Sequence, residues 1–378
     1  MTMNGKKRFK ALDLFSGCGG VSCGLYQAGF DIAGAVEIDS DARDTYSSQN
    51  AFKKPKMFGD ITKLNGDDLL KEAGIKKDEL YLLAGCPPCQ NFSYQNRKRK
   101  EKSREETEYL LFEFLRIIKE TYPPFILMEN VPGIRKSFNG EILRKFLMSL
   151  KNENEVDDKK QYYYTFGVLD ASEYGVPQKR KRFVLHAVRR DIYEIMRKEN
   201  IDFKLPEKTH GQGLLDLVTV WDAISDLPSL KSGESYSGEK AIFNHRSAKL
   251  SDINLQRITA IRKAGGSRSG LPDNLVLDCH RKYSGHTDVY GIMDPNKPAP
   301  TITGGCLSYS KGRFGHPFQD RAISLREAAR LQTFPDNFVF KGSLTKGALQ
   351  VGNAVPVKLV KASGDLFYSY IEKLSKNK

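Results

Sequence analysis

Short apolar runs alternate with helical patterns through the first 190 residues of the chain. Six of these runs have the length and composition of buried strands: residues 8–15, 30–38, 79–85, 123–130, 165–171 and 182–188. Between them, segments such as TEYLLFEFLRIIKE, residues 107–120, place apolar side chains at helical spacing. GDIT at 59–62 marks a further strand. This alternation predicts a doubly wound α/β sheet.

The pattern changes after about residue 190, where glycine, serine and proline clusters such as 231–240 and 262–273 interrupt weakly periodic segments. Helical periodicity returns in SLREAARLQ, residues 324–332, and in VPVKLVKASGDLFYSYIEKL, residues 355–374. The last of these can close the first domain. We therefore predict one domain made of residues 1–190 plus 343–378, and a second, smaller and irregular domain of residues 191–342.

Composition narrows the class of partner. The 378 residues include 60 Lys and Arg against 46 Asp and Glu, so the formal net charge is +14 and the pI is near 9.3. Such an excess favours a polyanion, nucleic acid above all, although a protein can also simply be basic. The six cysteines are too scattered for a disulfide scaffold, and MTMNGKKRFK lacks the apolar part of a secretion signal. With no apolar run of about 18 residues, we expect a cytoplasmic protein with reduced thiols and no membrane contact.

A glycine-rich turn, DLFSGCGG at 13–20, follows the first predicted strand. Gly17, Gly19 and Gly20 let the backbone turn sharply and approach a ligand closely. The second strand ends at Glu37, 18 residues after Gly19, where a carboxylate can hold a ribose diol. Asp60 could bind an adenine amino group or only cap the next turn. These features fit a nicotinamide dinucleotide or S-adenosylmethionine, and the missing G-x-G-x-x-G favours the cofactor without a pyrophosphate.

GCPPCQNFS, residues 85–93, contains two cysteines three positions apart. A zinc site would need more ligands, and the group of Cys279, His280 and His286 is too loosely spaced to supply them. A redox pair should open a helix, whereas Cys89 is followed by polar residues and a basic run. Cys86 ends an apolar strand and is predicted to be a small core residue.

Six motifs occur in order along the chain: DLFSGCGG at 13–20, PPCQNFS at 87–93, ENVPG at 129–133, QKRKR at 178–182, REAARLQTFPD at 326–336 and GNAVP at 352–356. Together they resemble the motif set of the DNA (cytosine-5)-methyltransferases of bacterial restriction–modification systems. The resemblance implies a doubly wound mixed sheet of the S-adenosylmethionine-dependent methyltransferase type, which is Rossmann-like, with residues 191–342 as a target-recognition domain.

The residues suit this chemistry. Cytosine C5 is a poor nucleophile until another nucleophile adds at C6. By resemblance that nucleophile is Cys89, and Glu129, at the end of a strand, is the candidate acid that protonates N3. In QKRKR, alternation places Gln178, Arg180 and Arg182 on one face, where the two guanidinium groups could meet the base O2, Glu129 or phosphate. The expected catalytic set is therefore Cys89, Glu129, Arg180 and Arg182.

The resemblance also implies S-adenosyl-L-methionine as the methyl donor. Its binding residues, carried over by position, are Phe15, Cys18, Gly19, Gly20, Glu37, Ile38, Asp60, Ile61, Pro88, Leu110, Asn353 and Ala354. Asn353 lies far along the chain, so the final helix is expected to pack back against the first domain.

Double-stranded DNA is the expected partner. Six of the nine residues 96–104 are Lys or Arg, directly after the candidate nucleophile, which suggests contact with phosphates around an extruded base. APTITGG at 299–305 resembles the element by which the family anchors its recognition domain, here through Thr301 and Ile302. GGSRSG at 265–270 could read bases or only connect elements. The expected DNA contacts are Gln90, Ser93, Arg97, Lys98, Arg99, Lys100, Gln178, Arg268 and Thr301.

Three other functions stay open. An RNA cytosine methyltransferase would use the same catalytic residues. A nicotinamide-dependent oxidoreductase would use Cys86 and Cys89 as a redox pair, and an idle sequence-specific DNA binder would use neither. For the favoured function we expect a monomer without a bound metal. Its expected partner in the cell is a cognate restriction endonuclease that acts on the same DNA site without direct contact.

Overall fold

The computed structural model describes residues 7–88, 102–151, 161–238, 242–281 and 288–376, without the side chains of 102–107. These residues contain one seven-stranded sheet with the order β3-β2-β1-β4-β5-β7-β6. Its strands are β1 Phe9–Leu14, β2 Phe30–Val36, β3 Lys56–Phe58, β4 Leu80–Gly85, β5 Phe125–Asn130, β6 Tyr162–Asp170 and β7 Lys181–Arg189. The six strands predicted from apolar runs are confirmed. The further strand is β3, which ends just before GDIT. GDIT itself leads into a short 3-10 turn that Asp60 caps.

The first five strands run parallel, and β7 lies antiparallel between β5 and β6. The central strands are buried on both faces, which explains why β1 and β4 read as nearly continuous apolar runs. Because parallel strands end at the same edge, the segments after β1, β2, β4 and β5 emerge together. That edge carries the candidate site.

Helices cover both faces of the sheet. In the first half of the chain they are α1 Gly20–Gln27, α2 Ser40–Ser47, α3 Gly66–Glu72, α4 Lys102–Thr121, α5 Glu141–Lys151 and α6 Arg190–Lys198. Leu111 and Phe114 of α4 and Phe146 of α5 join one apolar core with the sheet. Leu25 of α1 belongs to a second core on the opposite face. The mixed α/β fold is therefore doubly wound, as predicted.

The last helix returns to the first half of the chain. The helices after α6 are α7 Val220–Ile224, α8 Asp252–Lys263, α9 Asp278–Arg281, α10 Leu325–Leu331, α11 Leu344–Asn353 and α12 Val357–Lys376. α12 packs on α1 so closely that a Cβ on Gly24 would lie 2.7 Å from the carbonyl oxygen of Val357. The expected packing of the final helix against the first part of the chain is confirmed.

Four of the helices after α6 were not predicted: α7, α8, α9 and α11. α7 has only five residues and α9 only four, and the two longer helices have weak patterns. α8 fully buries only Ile258 and Ile261 along 12 residues. α11 contains Gly347 and Gly352, which lower helix propensity but allow close packing. The predicted helices at 324–332 and 355–374 correspond to α10 and α12.

The segment between α6 and α11 shares its core with the first part of the chain. Ile302 and Phe338 belong to the same buried cluster as Cys18, Tyr46 and Phe52. Across this cluster the rings of Phe52 and Phe338 lie 6.4 Å apart. This shared core ties the middle of the chain to the glycine-rich turn.

A buried ion pair supports the start of α10. The Arg321 guanidinium donates two hydrogen bonds to Glu327, of 2.8 and 2.6 Å, and neither side chain is more than 1% exposed. Burial acts to raise the pKa of Glu327, but the hydrogen bonds and charge of Arg321 outweigh it and hold that pKa below its usual range. Ser324 caps the helix and contacts His245. The REAARLQTFPD motif is therefore part of the structural core.

Candidate active site

The site lies where β1, β4 and β5 end. β4 pairs with β5 in a register that puts Gly85 beside Met128. The next residues, Cys86 and Glu129, therefore become neighbours. The backbone N–H of Cys86 donates to the carbonyl of Leu14 at 3.2 Å, which joins the ends of β4 and β1.

Glu129 is a largely buried acid paired with one arginine. Its Oε1 lies 2.7 Å from Nε of Arg182, and the two side chains are 12% and 13% exposed. Burial raises the pKa of Glu129 above its ordinary 4.5, although the charges of Arg182 and Arg180 and a hydrogen bond from Cys86 act against the rise. Glu129 therefore retains a proton at a higher pH than an exposed glutamate does.

Cys86 lies half-buried between the core and the site. It packs against the apolar cluster beneath the sheet and also hydrogen bonds to the Glu129 carboxyl. The prediction of a core residue is thus only partly correct. Its contact with Glu129 was missed, because the contact depends on the β4–β5 register. Cys89 and the predicted DNA contacts Gln90, Ser93, Arg97, Lys98, Arg99 and Lys100 lie outside the described residues.

The alternation predicted for QKRKR is present, since Gln178 and Arg180 are buried and Lys179 and Lys181 exposed. The Arg180 guanidinium donates to the carbonyl of Ile302 at 2.6 Å, of Gly352 at 2.8 Å and of Ala354 at 3.1 Å. Arg180 therefore binds backbone from two distant segments, and Arg182 is the arginine that forms the ion pair with Glu129.

Gln178 also joins distant segments and does not reach the surface. Its side chain is 0% exposed. The amide donates to the carbonyl of Leu331 and to Gln332, both at 3.0 Å, and accepts from the backbone of Ile302 at 2.8 Å. The expected contact of Gln178 with DNA is thus replaced by contacts within the protein, because the amide is committed to buried partners.

The glycine-rich turn is held by the acid at the end of β2. Glu37 accepts hydrogen bonds from the backbone N–H groups of Gly17 and Asp39, each at 2.8 Å. Phe15 has a φ of 58° and Gly19 a φ of 100°, so the backbone bends through conformations that most residues avoid. A Cβ on Gly19 would lie 3.0 Å from the rings of Phe52 and Tyr46. The turn therefore requires glycine at this position for space as well as for conformation.

The segment after α11 closes against this turn. Cys18 is buried, and its thiol contacts the carbonyl of Gln350 at 3.7 Å. A Cβ on Gly20 would lie 3.0 Å from the carbonyl oxygen of Val355 and 3.4 Å from Cβ of Ala354. Asn353, the last residue of α11, is exposed. Burial raises the pKa of Cys18 to about 12, so this thiol is inert.

The other predicted cofactor residues surround the same edge of the sheet. Asp60 caps the turn Ile61–Lys63, accepting from the backbone N–H of Thr62 at 3.0 Å and from its hydroxyl at 2.9 Å. These bonds hold the pKa of Asp60 below its usual range. Ile61 is buried and Leu110 half-buried. Pro88 is exposed, and Ile38 is an apolar side chain that is 69% exposed next to Glu37.

Thr301 and Ile302 attach the middle segment to the rest of the chain. The hydroxyl of Thr301 donates to the carbonyl of Lys179 at 2.8 Å, and Ile302 is 0% exposed. This agrees with their predicted role as anchors. GGSRSG ends α8, where the N–H of Gly266 donates to the carbonyl of Ile261 at 2.8 Å. Arg268 begins the short turn that follows, half-buried.

The part of the chain that the structure describes contains neither a cluster of metal-binding side chains nor a helix that could cross a membrane. No group of three or more His, Cys, Asp or Glu side chains in this part of the chain is arranged to hold a metal ion. No helix within it is long and apolar enough to cross a membrane.

A doubly wound sheet with a glycine-rich turn, an acid after β2 and a buried Glu–Arg pair at one edge is the arrangement of a Rossmann-like methyltransferase. Comparison with known proteins identifies the family. The model of the C-5 cytosine-specific DNA methylases matches residues 9–367, and the chain belongs to this family. It is a DNA (cytosine-5-)-methyltransferase.

Several relatives are similar over nearly the full length. The Type II methylase M.HgiDII of Herpetosiphon aurantiacus is 36% identical over 370 residues, covering 96% of each chain. The Type II methyltransferase M1.HphI of Haemophilus parahaemolyticus is 33% identical, covering 93% of this chain and 84% of its own. A crystal structure of a DNA modification methyltransferase from an E. coli prophage superposes with a TM-score of 0.66 at 25% identity, covering 96% of this chain and 99% of the other.

Proposed function

We propose that this enzyme transfers a methyl group from S-adenosyl-L-methionine to C5 of a cytosine extruded from double-stranded DNA, through a covalent bond between Cys89 and C6. The observation that carries the proposal is Glu129, a buried acid with a raised pKa, paired with Arg182 at the edge that bears the glycine-rich turn.

The residues at this edge fit the cofactor. A Cβ on Gly17 would meet no atom within 4 Å, which leaves open space above the turn for a ligand. Each Glu37 carboxylate oxygen accepts one backbone N–H and keeps a second lone pair for a ribose hydroxyl. The exposed apolar side chain of Ile38 can cover an adenine. Asn353 and Ala354 would form the facing wall. When bound, S-adenosyl-L-methionine supplies an electrophilic methyl group.

Each catalytic residue has one task in the proposed reaction. The Cys89 thiolate adds to C6, the electron pair of the C5–C6 double bond moves to the C4–C5 bond, and the pair of the C4–N3 double bond moves onto N3. Glu129 donates its proton to N3 as negative charge develops there. C5 is then nucleophilic and accepts the methyl group. A base removes the C5 proton, the C5–C6 double bond re-forms, and the thiolate leaves while N3 returns its proton to Glu129.

Arg182 and Cys86 orient the acid for this step. The Arg182 Nε holds one carboxyl oxygen, so the other can face the base. Its positive charge favours the carboxylate, whereas burial favours the acid, so Glu129 can exchange a proton in either direction. Such a balance suits a group that first donates and later recovers the same proton.

The proposed DNA partner and the proposed role in the cell go beyond the family membership. The net charge of +14 suits a duplex, and residues 191–342 would read its sequence while the rest of the chain performs the chemistry. Relatives named Type II methylases support pairing with a restriction endonuclease that acts on the same site without contact. The enzyme is expected to act as a monomer in the cytoplasm. The alternative substrate is RNA.

Labelled S-adenosyl-L-methionine tests the proposal directly. The enzyme is incubated with duplex DNA, with RNA or with neither, and the labelled base is identified after digestion. We expect 5-methylcytosine in DNA alone, and loss of product in Glu129→Gln with cofactor binding retained. Label in RNA but not in DNA would favour the alternative, and no label in either would contradict the proposed reaction.

A further inference from the structure

An open groove is lined by residues outside the glycine-rich turn. Three segments form it: residues 248–251 with Asn254 at the head of α8, residues 304–305 and 307–311 after the Thr301–Ile302 anchor, and residues 344, 345 and 348 at the start of α11. The volume accessible within it is about 360 Å³. The groove therefore joins the middle segment to the helix that ends at Asn353.

The lining of the groove is basic and polar. It includes Lys249 and Lys311, both exposed, and the hydroxyl groups of Ser251, Ser308 and Ser310. Among the residues that the structure describes, no carboxylate lines the groove and neither lysine forms an ion pair. Cations and hydroxyl groups without competing acids are the groups that proteins use to contact phosphate oxygens.

Hydrogen bonds and close packing connect the groove to the active site. The backbone of Ile302, just before the Gly304–Gly305 wall, is held by Gln178 and Arg180. A Cβ on Gly304 would lie 2.9 Å from Leu349 of α11, so this wall packs directly on that helix. From Thr345 in the groove to Asn353, α11 rises about 12 Å at 1.5 Å per residue. That distance corresponds to about three or four phosphates of one strand at 3.4 Å each.

We propose that this groove binds the backbone of the substrate duplex, with Lys249 and Lys311 contacting phosphates on the flank of the target base. The identity of the polyanion rests on the proposed function, whereas the shape and charge of the groove do not. The contacts position the duplex and carry no sequence information.

The salt dependence of duplex binding tests this proposal. Lys249→Ala/Lys311→Ala removes two phosphate contacts, so the slope of log affinity against log salt should flatten by about 1.8, at about 0.9 per contact. The matched control is Lys373→Ala/Lys376→Ala at the exposed end of α12, which changes the net charge equally. The control should keep the wild-type slope.

A second variant probes the opposite wall. Thr345→Glu places a carboxylate in the groove from α11, and it should weaken duplex binding while cofactor binding stays at the wild-type level. A lysine variant whose slope equals that of the control, or a Thr345→Glu variant that binds as wild type does, overturns the groove assignment. The same holds if the slope changes for an RNA transcript and not for DNA.

Turnover separates this proposal from the proposed function. The KM for duplex DNA should rise in the lysine variant, because it lacks two phosphate contacts, whereas Lys373→Ala/Lys376→Ala should keep the wild-type KM and kcat. If the wild type methylates DNA but the lysine variant keeps the wild-type slope, the groove assignment is wrong and the proposed function still stands. Absence of DNA methylation by the wild type would instead contradict the proposed function.

Discussion

Replacing Arg180 by methionine removes the guanidinium but keeps a side chain of similar length for the same buried space. The guanidinium donates to the carbonyls of Ile302, Gly352 and Ala354, at 2.6, 2.8 and 3.1 Å. Hydrogen bonds to a charged group contribute about 1.5–3 kcal/mol each. Removing a charge also removes its burial cost. The three carbonyls left without this donor cost about 1–3 kcal/mol each, and the lost burial cost partly offsets this, so we expect a net loss of about 3–5 kcal/mol.

This loss predicts a measurable fall in thermal stability. An unfolding entropy of about 2.1 cal/mol/K per residue gives about 0.8 kcal/mol/K for a chain of this length, if it unfolds cooperatively. The Tm of Arg180→Met should then fall by about 4–6 °C. Circular dichroism measures the Tm, and steady-state methylation measures kcat and KM. The KM for both DNA and cofactor should rise, because the released segments include the anchor at Ile302 and the wall at Ala354.

Arg182→Met is the matched control. It removes the ion pair with Glu129, so we expect a loss of kcat with a smaller change in Tm. If Arg180 instead contacts the substrate, as its place in QKRKR suggested, Arg180→Met would lose kcat and keep its Tm. An unchanged Tm in Arg180→Met therefore refutes its assignment as a structural clamp.

Three further predictions concern the candidate site. Because the pKa of Glu129 is raised in the folded state, its contribution to stability is present at low pH and is lost as the pH rises through that pKa. The Tm of the wild type should therefore fall relative to the Tm of Glu129→Gln as the pH rises above about 4.5. A Tm difference that does not change with pH would contradict the raised pKa. DNA with 5-fluorocytosine should trap the wild type and Cys86→Ser covalently but not Cys89→Ser, because the fluorine at C5 prevents elimination; loss of trapping in a folded, cofactor-bound Cys86→Ser would overturn Cys89 as the nucleophile. Alanine at residues 97–100 should flatten the salt dependence of duplex binding, and an unchanged slope would exclude that run from the interface.

Local sequence patterns predicted most of the sheet and the class of chemistry. The central strands are apolar on both faces, so each can be recognised without knowing its neighbours. The turn at 13–20 and the acid Glu37 could be recognised from the residue types within a few positions of two strand ends. The motif at 129–133 pointed to Glu129 for the same reason. These features are local. The order of the motifs along the chain then indicated the protein family.

Side-chain roles that depend on long-range contacts were decided only by the tertiary structure. Alternation correctly put Gln178 and Arg180 on one face, but it could not indicate that this face meets Ile302 and Gly352, more than 120 residues away. The contact of Cys86 with Glu129 likewise depends on the register of β4 and β5. A periodic pattern shows which side of a strand is buried. Only packing shows what lies against it, because contacts between distant segments leave no local signal in the sequence.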